Sequence, residues 1–184
     1  FDVEPGTNPG FLYQQNTMRD ALVAGLTLNI FNRHCDRVKM ACIAQMVNVL
    51  QSVILTEGPK MILTPTYHVF HMYKHHQDAE LVDSFIEGNK LVGEGECQIP
   101  HVSESVSTDA DGYVNVTLSN LSVSEDMPME ISFQELNPSS VEASILTGAM
   151  NAHNTFEEPV NVKEEKFDAY AVQYRPFLLC HSVY

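Results

Sequence analysis

The sequence predicts an α+β protein, with helix, strand and helix up to about Gln77 and an antiparallel β-sandwich after it. Three observations carry this. Between Thr17 and His34, apolar side chains return at every fourth position: Met18, Leu22, Leu26 and Ile30. Val38 to Val47 is short and almost continuously apolar, as a strand covered on both faces would be. Beyond Gln77 the texture becomes segments of alternating polarity separated by turn residues.

The first 16 residues, FDVEPGTNPGFLYQQN, are punctuated by Pro5, Gly6, Pro9 and Gly10 and read as a loop. Asn16 and Thr17 can cap the helix that follows. That helix also carries Ala21, Val23, Leu28 and Phe31, so it is apolar over much of its surface and heavily packed. Gly25 in its middle costs up to about 1 kcal/mol against alanine, which predicts a close approach to another element. Asp36 and Arg37 form a polar hinge into the apolar segment. Residues 48–63 read as a connection with a turn at Glu57, Gly58 and Pro59. Thr64-Pro65 opens a second helix to about His76, with Thr as N-cap and Pro in the first turn. Alternating segments then run over Leu81–Glu87, Gln98–Ser107, Tyr113–Leu121, Glu130–Leu136 and Val141–Thr147. The stretch after Lys166 lacks clean alternation.

The chain has 184 residues, is 44% hydrophobic and carries a net charge of −14. That charge repels phosphate backbones and anionic lipid, so neither nucleic acid nor membrane is expected as a partner. No apolar run approaches the ~18–20 residues of a membrane span. Cys35, Cys42, Cys97 and Cys180 are scattered without zinc or CxxC spacing, which favours isolated thiols over metal or redox chemistry. The sequence begins without methionine, as a fragment would. Its compartment stays open between cytoplasmic and periplasmic or secreted.

His68, His71 and His75 fall on one helical stripe, with His76 beside them. Such a stripe can bind a transition metal; beside Lys74 it reads better as a wet helix face, and no metal or other cofactor is expected. Asp109, Asp111 and Gly112 resemble the start of a calcium loop, but Gly112 comes two positions early and Asn120 stands where the closing glutamate belongs. A hairpin turn is the better reading. No GxSxG, phosphate-cradling glycine loop or HExxH is present. Glycoside hydrolysis needs two carboxylates held about 5–10 Å apart, and none stands by the C-terminal end of the apolar segment. Glu57 is closest there, in a solvent-facing turn. Gln45 is the one amide inside that segment, and an uncharged donor and acceptor suits a neutral, hydroxyl-rich ligand.

The stretches DRVKMACIAQMVNVLQ (36–51) and TPTYHVFHMYK (64–74), with the flanking run from Glu4 to Leu81, closely resemble the C-terminal region of α-L-arabinofuranosidases of glycoside hydrolase family fifty-one. The likeness extends more loosely to NAHNTFEEP (151–159). It implies the last β/α units of a (β/α)8 barrel followed by an antiparallel β-sandwich, with residues 1–77 in the barrel and 78–184 in the sandwich. Val38–Val47 would be the eighth barrel strand, lying between the last two barrel helices. The implied activity is retaining hydrolysis of terminal non-reducing α-L-arabinofuranosyl residues from arabinose-containing glycans.

The family's two catalytic glutamates would lie upstream of Phe1, so no catalytic residue is assigned and the chain alone is expected to be inactive. Gln45 matches the family glutamine that hydrogen-bonds the arabinofuranose ring. The tail after Lys166 departs from the family pattern, which leaves the sandwich either short of its last strand or altered at its closing residues. The competing reading is a non-catalytic carbohydrate-binding or assembly module, disfavoured because the chain has no Trp platform. A barrel cannot close from one strand and two helices. The face of Leu22, Leu26 and Ile30 is therefore expected to be exposed as an apolar patch, and the isolated chain to self-associate as a homo-oligomer or to rearrange its first 76 residues.

Overall fold

The computed structural model describes residues 16–43, 46–134, 138–172 and 178–183. Helix α1 (Met18–Arg33) begins after Thr17, whose φ of −99° and ψ of 173° break the helical path. The backbone N–H and the hydroxyl of Thr17 both donate to Asp20 Oδ2 at 2.9 Å. A carboxylate thus sits at the positive end of the helix. The next N–H groups, orphaned at any helix start, find a segment far along the chain. Met18 donates to the carbonyl of Ala152 at 2.8 Å and Arg19 to that of Met150 at 3.1 Å.

The strand expected over Val38–Val47 does not form in the described part of that stretch. Residues 38–43 join no ladder, and Met40 is 79% exposed. Only Val47 makes a bridge here, a parallel one to Ile54. The reason is tertiary. An apolar strand of parallel type needs a hydrogen-bonded neighbour on each edge and cover on both faces. Every strand pair among the described residues is an antiparallel ladder occupied elsewhere. Ala44 and Gln45 lie outside the described residues.

Strands β1 (Ile54–Glu57) and β2 (Lys60–Leu63) form an antiparallel hairpin, with Ile54 opposite Leu63 and Glu57 opposite Lys60. Its turn is where the sequence places it, and Gly58 takes the left-handed φ of +57° the turn requires. Helix α2 (Pro65–Tyr73) is capped by Thr64, whose hydroxyl accepts the Tyr67 N–H at 3.3 Å, and it runs on as a 3-10 turn over Lys74–His76.

The β-region is antiparallel throughout. It comprises β3 (Glu80–Leu81), β4 (Leu91–Glu94), β5 (Cys97–Pro100), β6 (Val102–Thr108), β7 (Val114–Asn120), β8 (Met127–Ile131), β9 (Ser144–Ile145), β10 (Glu165–Lys166), β11 (Tyr170–Val172) and β12 (Leu178–Val183). β3, β6 and β7 make one sheet and β11, β12 and β8 another, while β4–β5 and β9–β10 pair alone. The predicted strand 98–107 is divided at His101, where β5 hands over to β6. The tail does supply a strand: β12 lies between β11 and β8, with Leu179 opposite both Ala171 and Glu130.

Two kinds of packing hold the helices. Met18, Ala21, Leu28, Val69 and Val162 form a buried apolar cluster joined by Leu22, Phe70 and Leu146. Leu22 is therefore not part of an exposed stripe; the exposed apolar positions of α1 are Val23 and Ile30. The second contact, of α1 and the 3-10 turn with β6 and β7, is polar. Asn29 is 0% exposed. Its amide donates to Ser103 Oγ at 3.2 Å, and its Oδ1 accepts from the Tyr73 hydroxyl at 2.7 Å and from Thr117 at 3.2 Å. Asn32 donates to Ser105 Oγ at 3.0 Å. His76 lies 2.7 Å from Ser107 Oγ and 3.0 Å from Thr117 Oγ1. Gly25 permits this approach, since a Cβ there would stand 2.9 Å from Ser119 Oγ.

Candidate functional site

The residues around Gln45 are fixed on its C-terminal side. Ile54 N–H donates to the carbonyl of Met46 at 3.0 Å, and Asn48 N–H to that of Ile54 at 3.1 Å. Asn48 takes a left-handed φ of 53°. Its side chain is engaged with Thr56: Oδ1 accepts the Thr56 N–H at 2.7 Å and Nδ2 donates to Thr56 Oγ1 at 2.8 Å. Asn48 thus clamps the loop, and its amide is committed to that task.

The N-terminal ends of α1 and α2 meet at one carbonyl beside this loop. Ser52 O accepts from Asn16 Nδ2 at 2.8 Å and from the Thr64 hydroxyl at 2.9 Å. Asn16 Oδ1, Ser52 Oγ and Thr66 Oγ1 are buried with no hydrogen-bond partner among the described residues. The loop 46–52 therefore lies beside both helix starts. Glu57 is exposed in the β1–β2 turn, as its sequence context indicates.

The histidine stripe is divided among different partners. His71 Nδ1 lies 2.8 Å from Glu164 Oε2, and Lys74 Nζ lies 3.0 Å from His71 Nε2. His68 sits edge-on to Tyr67 with ring centroids 5.5 Å apart; burial, partly offset by Glu164, holds its pKa below the usual value. His76 is committed to the polar seam with the sheet, and burial, with His75 adding to it, depresses its pKa too. For Glu164, burial pushes the pKa upward. Hydrogen bonds from Ser144 and His71 and the nearby imidazoles outweigh it, so the carboxyl lies below its normal range.

The Asp109 side chain closes the β6–β7 turn, accepting the N–H groups of Asp111 and Tyr113 at 3.0 Å. Gly112 there takes φ +85°. This is turn chemistry. Cys35, Cys42 and Cys97 are free and exposed.

Sequence reasoning missed the seam of Asn29, Tyr73 and His76 against β6 and β7. A signal was present: Ser103, Ser105 and Ser107 alternate on one strand and so share one face. The Lys74–His71–Glu164 chain was half visible, as a histidine and a lysine three residues apart. Glu164, 93 positions beyond His71, was not.

Residues 1–178 match the family model described as the α-L-arabinofuranosidase C-terminal domain. The chain is 44% identical over 168 residues to an intracellular exo-α-L-arabinofuranosidase of Bacteroides ovatus, covering 91% of this chain and 33% of that protein. It is 29% identical over 163 residues to α-L-arabinofuranosidase C of Emericella nidulans, covering 83% and 31%. Among solved structures it is similar to the GH51 arabinofuranosidase of Xanthomonas axonopodis pv. citri, with a TM-score of 0.89 and 44% identity over 97% of this chain and 36% of the other. A thermostable GH51 α-L-arabinofuranosidase of Thermotoga petrophila shares the fold at a TM-score of 0.75 and 23% identity. The chain spans about a third of the length of these relatives.

Proposed function

Because this chain belongs to the α-L-arabinofuranosidase C-terminal domain family over residues 1–178, we propose that it is the C-terminal part of a retaining α-L-arabinofuranosidase. The whole protein would release terminal non-reducing α-L-arabinofuranosyl residues from arabinose-containing polysaccharides and oligosaccharides. In this reading residues 1–77 complete a (β/α)8 barrel and residues 78–184 form the sandwich that follows. The observation that supports it best is the stretch 38–43, apolar yet without a ladder, running toward a parallel bridge at Val47. It has the character of a barrel strand lacking its neighbours.

Chemistry divides accordingly. Retention requires a nucleophilic carboxylate and an acid/base carboxyl only about 5–5.5 Å apart. Both belong to barrel strands upstream of these residues. The contribution proposed for this chain is Gln45, at the end of the last barrel strand. Its amide can donate to one ring hydroxyl and accept from another without placing a charge beside the catalytic pair. Such contacts accelerate the reaction insofar as they strengthen in the transition state.

The test uses an aryl α-L-arabinofuranoside and two proteins, this chain alone and the full-length protein. The full-length protein is expected to hydrolyse it and the chain alone to be inert. Gln45→Ala in the full-length protein is expected to lower kcat/KM by about 10–100-fold, or about 1.4–2.7 kcal/mol of transition-state binding. Hydrolysis by the chain alone would refute the assignment of the catalytic pair to upstream strands. A Gln45→Ala protein with unchanged kcat/KM would remove Gln45 from the site.

A further inference from the structure

We propose that Lys74 is a site of covalent acylation, with His71 as the base that takes its proton and Glu164 as the carboxylate that stabilises the charged imidazole. The proposal is independent of the glycosidase reading and rests on three side chains in line. Lys74 Nζ is 3.0 Å from His71 Nε2, and His71 Nδ1 is 2.8 Å from Glu164 Oε2.

The direction of the chain follows from valence. An ammonium has donors and no acceptor, so His71 Nε2 accepts from Lys74. The ring proton therefore lies on Nδ1 and is donated to Glu164. This is the order nucleophile, imidazole, orienting carboxylate that activates hydroxyl and thiol nucleophiles elsewhere, with an amine in the first place. The ring is held in position by Tyr67, stacked on it at 6.1 Å between centroids and 13° between planes. The other groups facing it do not compete. His68 is biased toward its neutral form by burial, and the carboxyl of Glu164 is held below its normal pKa.

Lys39, Lys60, Lys163 and Lys166 are placed differently. Lys163 and Lys166 face carboxylates, Glu165 at 3.5 Å and Asp168 at 2.7 Å, and Asp168 favours the charged form of Lys166. Lys39 donates to the carbonyl of Cys35 at 2.6 Å, and Lys60 lies over the Phe156 ring. Neither a carbonyl nor an aromatic face can take a proton. Lys74, by contrast, points at a base. It is exposed, and the His71 side chain is 43% exposed, so a reagent can reach it.

The reaction class is acyl transfer from a thioester. The Lys74 ammonium passes one proton to His71 Nε2, and the imidazolium is held against Glu164. The free amine attacks the thioester carbonyl. An N–C bond forms, the C–S bond breaks, and the thiolate leaves with the electron pair. The amide nitrogen loses its second proton to solvent, and the imidazolium returns its proton to the thiolate.

The experiment treats the protein with limiting S-acetyl-N-acetylcysteamine and measures initial acetylation rates at each lysine by peptide mass spectrometry. Lys74 is expected to react about tenfold faster than Lys39 and Lys90, a modest share of the range seen for positioned bases. His71→Gln keeps an acceptor for the ammonium but removes the base, and is expected to bring Lys74 down to the rate of Lys39. Glu164→Gln, which keeps an acceptor for Nδ1–H but no charge, is expected to give a loss of about threefold. Rates at Lys39 and Lys90 serve as the internal control in each variant. A Lys74 rate within twofold of Lys39 in the unmodified protein overturns the proposal, as does an undiminished rate in His71→Gln.

Discussion

Asn29 has its amide nitrogen on Ser103 and its oxygen shared by Tyr73 and Thr117, and it is closed off from water. Replacing it removes partners from three groups at once, on α1's two neighbours. Asn29→Ala leaves the hydroxyls of Tyr73, Thr117 and Ser103 to find other partners in a dry space, at about 1–3 kcal/mol for each left unsatisfied. We expect a total loss of about 2–4 kcal/mol in urea unfolding. Asn29→Leu adds an apolar side chain among hydroxyls and is expected to cost at least as much. Gly25, one turn earlier, is the spatial counterpart, since its missing Cβ leaves room for Ser119 and Tyr73. The sequence marks Gly25 as a close approach because glycine in a helix interior has a cost needing a reason. It does not mark Asn29, because an asparagine is equally at home on a wet face. Only the strand that meets it decides between the two.

At the scale of elements, the 3-10 turn that extends α2 brings His76 onto the sheet, and this makes the docking sensitive to acid. Burial, with His75 nearby, lowers the pKa of His76 below 6.5. The unfolded chain therefore binds the proton more readily than the folded one, and stability rises with pH across that window. The contribution is present above pH 6.5 and is lost as pH falls through the folded value. His68, lowered by burial, acts in the same direction. Unfolding measured from pH 7.5 down to 5 is expected to show falling stability, and His76→Asn to flatten that slope. The helices themselves were legible. Thr17 and Thr64-Pro65 announce both starts through local chemistry. The segment 38–47 was not, since an apolar run declares what it wants to pack against without supplying it. The β1–β2 turn and the β5 stretch were read, but β1, β2 and β4 were missed as strands, because four residues are too short to display alternation.

Taken as a whole, the molecule is covered unevenly. Val23 and Ile30, seven positions apart on α1, are exposed, and so are Met40, Met46, Val47 and Leu50 after it. Apolar exposure of this kind marks a surface that expects a partner. The isolated chain is expected to self-associate despite its charge of −14, and more so as salt screens that charge. Sedimentation velocity at low and high salt checks this, and Val23→Glu with Ile30→Glu should shift the population toward monomer. The same exposure explains why the candidate site is only partly legible. The family likeness points to Gln45, and under the proposed function the groups that would complete its site lie on upstream strands.

The polar seam also separates the two faces of α1 in temperature. The apolar cluster around Ala21 and Val69 weakens on cooling, as hydrophobic contacts do. The face held by Asn29 and Asn32 has little apolar surface to hydrate, so its release carries a small heat-capacity change and its strength varies less with cold. Near freezing, α1 should thus loosen first from α2 and remain attached to the sheet. Amide exchange in the 149–162 segment, which ties the start of α1 to the apolar cluster, should then quicken on cooling relative to β6.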